Sequence, residues 1–455
     1  MFYNRQAELA WLNEKFDSGD TELLIFWGRR RVGKTYLLRE FCKQKNGIFL
    51  MSTTSSAQDN LKSFSQELAE YFDDERLQRT PIQNWEDLFL YLNEKINRRT
   101  VLVIDEYPYL VESWPAISSI LQKYWDLYLR DNPHLMLIIN GSAISMMERE
   151  TLAYRAPLYG RRTGQWLLEG FDVVSANEFF KFKTLIEAVE AQTITGGIPY
   201  YCQLLGQFED IRIAIKNKIL CKGEVLFEEL DFLLRQEFKS PRSYFPILKA
   251  IAQGNRKFGN ISSQTGYDKS NLTKYLATLE SLKLIRREVP ITEKNPTKSR
   301  KGLYFLNDNF INFWFNFIFP NRAALESGEV ESVMQRSVLP NFNYYVSRNV
   351  EPIIINLLKR DYFKIGLHFE KIGRYWDANT EIDIMGKTTK NQTVIGEIKW
   401  MDSSCSWKVY WELTKKVNVP TDSIFILVSK NGFEQELTKD KPENLILIDL
   451  EKYNL

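Results

Sequence analysis

The chain of 455 residues carries 60 lysines and arginines against 58 aspartates and glutamates, a formal net charge of +2, and 44% of its residues are hydrophobic. This length exceeds what one hydrophobic core supports and, at roughly 150 residues per domain, predicts about three domains. The balanced charge excludes a chain that is basic as a whole, so a nucleic-acid surface would have to be local. The four cysteines are too widely spaced for a zinc motif, and the apolar segment 310–319 is too short to span a bilayer. These features predict a cytoplasmic protein without a membrane segment.

A glycine loop between a strand and a helix is the first informative pattern in chain order. Residues 23–27 form an apolar run of strand length, and Leu37, Leu38 and Phe41 recur at helical spacing. The loop between them, GRRRVGKT, matches the phosphate-binding pattern of two spaced glycines followed by lysine and threonine. Its glycines let successive N–H groups point inward, and the helix adds the positive end of its dipole. The predicted cradle consists of Gly28, Arg29, Arg30, Arg31, Val32, Gly33, Lys34 and Thr35.

Two residues of the loop have specific expected roles. Lys34 would reach the outer phosphates of a nucleotide, and the Thr35 hydroxyl would hold magnesium. The backbone and Lys34 suffice for the cradle, so the three arginines either meet the negative charge of the ligand or remain hydrated.

A second apolar run, residues 101–104, ends in two acids. Asp105 follows the run directly and Glu106 comes next. Phosphoryl transfer needs its developing negative charge neutralised, by a metal that a carboxylate helps to hold, and the attacking water oriented. We therefore expect Asp105 to act on magnesium through a bound water and Glu106 to serve as the base or orienter of the attacking water.

Polar residues after a third apolar run, and two arginines further on, are candidate catalytic groups. Asn140 ends the third run and could touch the γ-phosphate or its attacking water, or could belong to an ordinary strand-to-loop turn. Arg161 and Arg162 precede another strand. One of them could neutralise transition-state charge, in cis or from a neighbouring subunit of a homo-oligomer, or both could remain hydrated on the surface.

These motifs together resemble a known family. Asn4, Arg5, Glu8 and Leu9, followed by GRRRVGKT, VLVIDE, INGS, LYGRR and TGGIPYY, are similar to the archaeal-type ATPase family of the AAA+ and STAND-related branch of P-loop NTPases. The resemblance covers about the first 240 residues. Asn4 departs from the glycine or aspartate common at that position, which leaves the role of the N-terminal segment open.

The resemblance implies the fold, activity and cofactors of the front of the chain. It implies an α/β parallel-sheet ATPase core at residues 1–170, a helical lid at residues 171–238, and ATP and Mg²⁺ as cofactors. Gly197 and Pro199 match the lid motif that packs near adenine, although a helix-breaking turn would use the same residues. Residues 175–237 have helical periodicity and no strand run, as a lid requires.

Residues 239–320 are similar to a winged helix. Ile247, Leu248 and Ile251 mark one helix, Ile261 begins a second, and Leu272, Leu276 and Leu279 line a third after a turn and cap at Gly266 and Asp268. A hairpin wing follows, and residues 283–301 hold seven basic residues and two acids. Lys269, Ser270, Asn271 and Lys274 could face a DNA groove. Winged helices also serve as protein-contact or intramolecular modules, and loops often carry solvated charge, so DNA binding is one of several open interpretations.

The last domain, residues 321–455, contains a second candidate centre. Asp383 lies in one predicted strand, and Glu397 and Lys399 share a face of the next. This pattern resembles the PD-(D/E)XK fold, a restriction-endonuclease-like α/β domain. The resemblance implies that Asp383 and Glu397 bind metal, that Lys399 assists catalysis, and that Glu351 is the matching helical acid. The same fold also occurs as an inactive binding module.

Two hypotheses therefore remain. The first is a magnesium-dependent ATPase that couples hydrolysis to nucleic-acid binding or processing. The alternative is a slow regulatory or signalling switch whose rear domains only bind partners.

Overall fold

The computed structural model describes residues 4–238, 240–416 and 422–455. The chain divides into two compact units between Gly170 and Phe171. Lys239, where the third predicted domain begins, lies outside the described residues.

The first unit alternates strands and helices. Its strands are β1 (Glu22–Trp27), β2 (Ile48–Met51), β3 (Thr100–Asp105), β4 (Leu135–Gly141) and β5 (Gly164–Leu167). Its helices are α1 (Gln6–Asp17), α2 (Lys34–Gln44), α3 (Ala57–Phe72), α4 (Glu75–Arg79), α5 (Trp85–Lys95), α6 (Tyr107–Ser113), α7 (Ile117–Leu127) and α8 (Ile144–Met147).

The five strands form one parallel sheet in the order β2-β3-β4-β1-β5. Every residue of β3 and β4 is buried, as the continuous apolar runs predict for strands covered on both faces. Because β4 lies between β1 and β3, the strand ends that carry the glycine loop, Asn140 and Asp105 meet at one edge. Ligands of such sheets bind outside this carboxyl edge.

The second unit begins with helices and a hairpin. Its first helices are α9 (Val173–Phe180), α10 (Leu185–Thr195), α11 (Pro199–Leu205), α12 (Ile211–Ala214) and α13 (Glu229–Glu237), which confirms the helical pattern of that segment. Three further helices, α14 (Phe245–Ala252), α15 (Phe258–Thr265) and α16 (Lys269–Ser281), precede the antiparallel pair β6 (Ile285–Glu288) and β7 (Leu303–Leu306).

The boundaries within this three-helix segment differ slightly from the prediction. Helix α15 begins at Phe258 rather than at Ile261, which is the buried residue of its inner face. Gly266 ends α15 in the left-handed conformation, and Asp268 caps α16 by accepting from Ser270 and Asn271 N–H. Both turn residues act as their chemistry predicts.

The rest of the second unit is a helical segment followed by a mixed sheet. The helices are α17 (Asn309–Phe313), α18 (Arg322–Glu326), α19 (Val330–Val333), α20 (Leu339–Ser347), α21 (Glu351–Lys359), α22 (Trp407–Lys416) and α23 (Gln435–Lys439). The strands are β8 (Phe369–Trp376), β9 (Glu381–Thr388), β10 (Thr393–Lys399), β11 (Ile424–Ser429) and β12 (Leu445–Asp449). They lie in the order β12-β11-β10-β9-β8, antiparallel from β8 to β10 and parallel from β10 to β12. Within the described ranges, no helix has the length and apolar character to cross a membrane.

Candidate nucleotide site and C-terminal acid cluster

The glycine loop joins β1 to α2 in a conformation that only glycine adopts easily. Gly28 has φ +149° and Gly33 has φ +89°. A Cβ on Gly28 would overlap the carbonyl of Leu168, so this position also needs glycine for space. Lys34 is buried in the first turn of α2, and its Nζ donates to the carbonyls of Gly28 (2.8 Å) and Arg29 (2.9 Å). The ammonium therefore lies over the loop that the phosphates would enter.

A buried acid and amide lie at the end of the two neighbouring strands. Asp105 and Asn140 are both fully buried, and Asp105 Oδ1 accepts from Asn140 Nδ2 and from the Glu106 N–H (3.0 Å). In the part of the chain that the structure describes, Asp105 Oδ2 and Asn140 Oδ1 are buried and have no hydrogen-bond partner. A buried carboxylate oxygen without a partner is costly unless a ligand uses it.

This donor set fits a magnesium ion bound to a nucleotide. Asp105 offers an unsatisfied anionic oxygen, and Thr35 offers a hydroxyl in the first turn of α2. Magnesium prefers hard oxygen ligands and usually combines one or two carboxylates with phosphates and water. The site needs no larger protein cage.

Glu106 follows Asp105 in a left-handed conformation with φ +51°. Its Oε2 accepts from the hydroxyl of Ser142 (2.9 Å) and from the Ser142 N–H (3.4 Å). The contact ties the end of β3 to the loop after β4, so the carboxylate is held beside the Asp105–Asn140 pair. Ser142 follows the third apolar run in sequence, but its bond to Glu106 was not predicted.

The two candidate arginines are held by their own unit. Arg161 forms a bidentate pair with Asp126 on α7, with Nη2 2.7 Å and Nε 3.0 Å from the carboxylate. Arg162 donates to the carbonyls of Thr151 (2.8 Å) and Leu152 (3.1 Å). Arg161 therefore reaches a phosphate only if the pair with Asp126 opens.

Gly197 and Pro199 lie in the second unit, where they form the turn from α10 into α11. Gly197 has φ +70°, and its carbonyl accepts from the Phe171 N–H at 2.8 Å. A Cβ there would overlap the backbone of Phe171. Pro199 occupies the first position of α11, where its missing N–H costs no hydrogen bond. The contact with adenine remains a prediction.

The exposed face of α16 is polar and partly basic. Leu272, Leu276 and Leu279 are buried beneath it, and the exposed side chains include those of Lys269, Ser270, Asn271 and Lys274. Lys283 before the hairpin, and Lys294, Lys298, Arg300 and Lys301 between its strands, are further exposed basic residues. Lys301 forms an ion pair with Glu293 at 2.7 Å.

Asp383, Glu397 and Lys399 come together in the C-terminal sheet. Glu397 is 8% exposed, and its two oxygens accept from Lys399 Nζ and Lys416 Nζ, each at 2.8 Å. Asp383 Oδ2 accepts from the Ile398 N–H at 2.9 Å. Burial and then the charge of Glu397 raise the pKa of Asp383 to about 6, against the N–H and the two lysines. Lys416 comes from α22, and no sequence motif pointed to it.

Glu351 is paired with a buried arginine and lies close enough to Asp383 of the cluster for the two carboxylates to interact. Arg374, 7% exposed on β8, contacts Glu351 and lies 2.7 Å from Glu381 and 3.6 Å from Glu288 on β6. Burial raises the pKa of Glu351 to about 7; Arg374 opposes the rise, and the carboxylates of Asp383 and Glu381 add to it. Arg374, like Lys416, was not predicted from sequence.

This second cluster does not fit a divalent metal as it stands. Both oxygens of Glu397 are taken by ammonium groups, and Glu351 is paired with Arg374. Among the described residues, no group of three or more His, Cys, Asp or Glu side chains is placed to hold a metal ion. Glu397 and Glu351 are therefore paired with cations of the same chain, and Asp383 is held by the Ile398 N–H.

Comparisons with known proteins agree with the glycine-loop site. A family model described as an ATPase domain predominantly from Archaea matches residues 2–205. A model of archaeal and bacterial proteins of unknown function matches residues 314–410. An uncharacterized protein of Methanocaldococcus jannaschii is 35% identical over 426 residues, covering 91% of this chain and 92% of that protein.

Two further matches are with a short ATP-binding protein and with a solved ATPase structure. An uncharacterized ATP-binding protein of the same organism is 47% identical over 45 residues, which are 10% of this chain and 76% of that protein. The solved Walker-type ATPase of Pyrococcus abyssi is 22% identical, with 69% of this chain and 96% of that chain covered and a TM-score of 0.53. That likeness shows the fold alone. The chain belongs to the archaeal ATPase family, and its first unit is an ATP-binding P-loop ATPase domain.

Proposed function

We propose that the first unit hydrolyses ATP with magnesium at the carboxyl edge of its parallel sheet. The observation that carries this proposal is the buried Asp105–Asn140 pair, whose free carboxylate oxygen lies at the same edge as the Lys34 loop. A fully buried charge is expected where a cationic ligand compensates it.

Each residue of this edge has a distinct proposed role. The loop N–H groups and Lys34 bind the phosphates; Thr35 would hold a magnesium ion directly and Asp105 through a bound water, and the ion would neutralise phosphate charge. Glu106 accepts the proton of the attacking water and is oriented by Ser142. Asn140 fixes the rotamer of Asp105 and presents its own oxygen or amide to that water.

Replacement of Lys34 tests the assignment. Lys34→Ala removes the cation over the loop, and we expect ATP turnover to fall by at least about 100-fold, the scale for loss of a charged phosphate contact. Lys43→Ala is the matched control, because Lys43 lies exposed in the last turn of the same helix. Undiminished hydrolysis by purified Lys34→Ala would reject the proposal.

We further propose that α14 to α16 and the β6–β7 hairpin form a winged helix that binds duplex DNA. The supporting observation is that α16 buries its leucines and exposes Lys269 and Lys274, next to a hairpin with exposed basic side chains. A local positive face of this kind suits a phosphate backbone despite the neutral charge of the chain.

The salt dependence of DNA binding tests this second proposal. In fluorescence anisotropy with a labelled duplex, Lys269→Ala/Lys274→Ala should weaken binding and reduce the slope of log K against log salt by about 0.9 for each phosphate that is no longer neutralised. The control is Lys359→Ala/Lys439→Ala, two exposed lysines on other helices of the same unit. If wild type shows no binding at low salt, the slow-switch alternative is favoured.

For the C-terminal sheet we propose a PD-(D/E)XK-like binding module that does not cleave. Glu397 is paired with Lys399 and Lys416, and Glu351 is paired with Arg374, so we derive no metal-dependent step. DNA incubated with Mn²⁺ should remain as intact with wild type as with Asp383→Ala. Cleavage by wild type that is absent from Asp383→Ala would contradict this proposal.

A further inference from the structure

Arg5, in the N-terminal segment whose role the sequence left open, contacts the glycine loop. It is 7% exposed and immediately precedes α1. Its Nη2 donates to the carbonyl of Val32 (2.9 Å) and to the carbonyl of Glu169 (3.0 Å), and its Nη1 lies 3.0 Å from Glu8 Oε1. The guanidinium therefore joins three separate parts of the first unit.

The bond to Val32 determines the direction of a cradle amide. The carbonyl of Val32 and the N–H of Gly33 belong to one planar trans peptide, in which they point in opposite directions. Because Arg5 holds the carbonyl on its own side, the Gly33 N–H is turned to the other side. This N–H precedes α2, where the first amides have no partner within the helix.

The bond to Glu169 connects the loop to the end of β5. The Leu168 N–H donates to the Trp27 carbonyl at 2.7 Å, and the Leu168 carbonyl lies where a side chain on Gly28 would be. Leu168 thus supports the start of the glycine loop, at Gly28, by direct backbone contact. Glu169 supports the later part of the loop, at Val32, through Arg5. The same segment ends next to the division between the two units.

We propose that Arg5 is a positioning residue for the nucleotide, which holds the Val32–Gly33 peptide in its phosphate-binding orientation and ties that peptide to Glu169. The proposal rests on the proposed function of the Lys34 loop. Only a guanidinium offers several donors in a planar fork, so lysine cannot make the same three contacts.

The matched control is Arg99, which performs similar backbone contacts away from the loop. It donates to the carbonyls of Lys15 and Phe16 (both 2.9 Å) and of Pro133 (3.0 Å). Pro133 precedes β4, so Arg99 lies at the opposite edge of the sheet from the loop. Burial lowers the pKa of both arginines, so both substitutions remove a desolvated cation.

The experiment compares Arg5→Met, Arg5→Lys and Arg99→Met in the full chain. Fluorescent ADP with magnesium is titrated to obtain Kd, and calorimetry gives the melting temperature of each variant without nucleotide. We expect both Arg5 variants to bind ADP about 10-fold or more weakly, the scale of a lost charged hydrogen bond, while Arg99→Met lowers Tm and leaves Kd within about two-fold.

Two results would overturn the proposal. One is an Arg5→Lys variant that binds ADP as tightly as wild type; this variant decides alone if Arg5→Met does not fold. The other is an equal loss of affinity in Arg5 and Arg99 variants of equal Tm, which indicates general destabilisation. Lys34→Ala, titrated in parallel, separates the two proposals: if it binds normally, the proposed function fails instead.

Discussion

The backbone conformation and hydrogen bonds of Glu106 suit the catalytic role that we propose for it. Its left-handed backbone and its bonds from the Ser142 hydroxyl and N–H hold the carboxylate between the end of β3 and the loop after β4. Because both bonds from Ser142 go to Oε2, the other carboxylate oxygen can meet another proton donor. This arrangement suits a group that orients and deprotonates water.

Glu106→Gln should therefore separate binding from hydrolysis. Glutamine can keep the bond to Ser142 but cannot accept a proton, so we expect turnover to fall by about 100-fold or more. The Kd of ADP should stay within about three-fold, because the loop is unchanged. Glu112→Gln, an exposed acid at the end of α6, is the control. A parallel loss of affinity and turnover would contradict the assigned role.

Glu351 predicts a pH dependence of the second unit. Its folded pKa of about 7 exceeds the usual value of about 4.3 for glutamate. The folded state thus holds more protons than the unfolded state between these values, and stability falls as pH rises from about 4.5 to 7. Below this window both states are protonated at Glu351, and above it both are charged.

Glu351→Gln removes this titration. Between pH 5 and pH 7.5 we expect wild type to lose on the order of 2 kcal/mol relative to the variant, measured by calorimetric unfolding. The exposed Glu436→Gln should show no comparable change relative to wild type. A difference between wild type and Glu351→Gln that is independent of pH would contradict the prediction.

The contribution of each site residue was only partly accessible from sequence. Lys34 was predicted from the glycine-loop motif, and Asp105 and Asn140 from their place at the ends of apolar strand runs, since parallel strand ends meet at one edge. The contacts of Arg5 and Arg374 were not, because they join positions far apart in the chain. The ion pair between Arg161 and Asp126 also joins residues that are distant in the chain, and such a pair leaves no periodic pattern in the sequence.

At the scale of elements, the loop after β1 depends on the loop after β5. Gly28 lies against the Leu168 carbonyl, so its conformation and its neighbour both exclude a side chain. The strand and helix types were predictable from apolar periodicity. The order of the strands was not, because β1 pairs with β4 and β5, which are distant in sequence.

Gly28→Ala tests this dependence. The added Cβ would displace the 168 carbonyl, so we expect a loss of about 2 kcal/mol or more in stability and a marked loss of ADP affinity. Gly160→Ala is the control, since Gly160 also has positive φ, +76°, but open space around its Cα. It should cost about 1 kcal/mol and leave affinity unchanged. Equal effects would show that backbone strain alone matters at Gly28.

At the scale of the whole molecule, coupling between the ATPase and DNA is the central prediction. ATP turnover should rise when duplex DNA is added at low salt, because P-loop proteins transmit the state of the γ-phosphate to attached domains. The rise should disappear in Lys269→Ala/Lys274→Ala, whose basal turnover should match wild type. Equal stimulation of this variant would place the effective DNA contact elsewhere.

Arg374 has a practical consequence for dissecting the chain. One guanidinium faces acids of the β6 strand, the α21 helix and the β9 strand at once. A chain truncated after residue 320 would keep Glu288 but lose Arg374. A fragment that starts at residue 321 would keep Arg374 but lose Glu288, one of its three acidic partners. Fragments cut between the β6–β7 hairpin and the β8–β12 sheet should therefore express poorly. A fragment that keeps the hairpin and this sheet together should tolerate removal of the first unit.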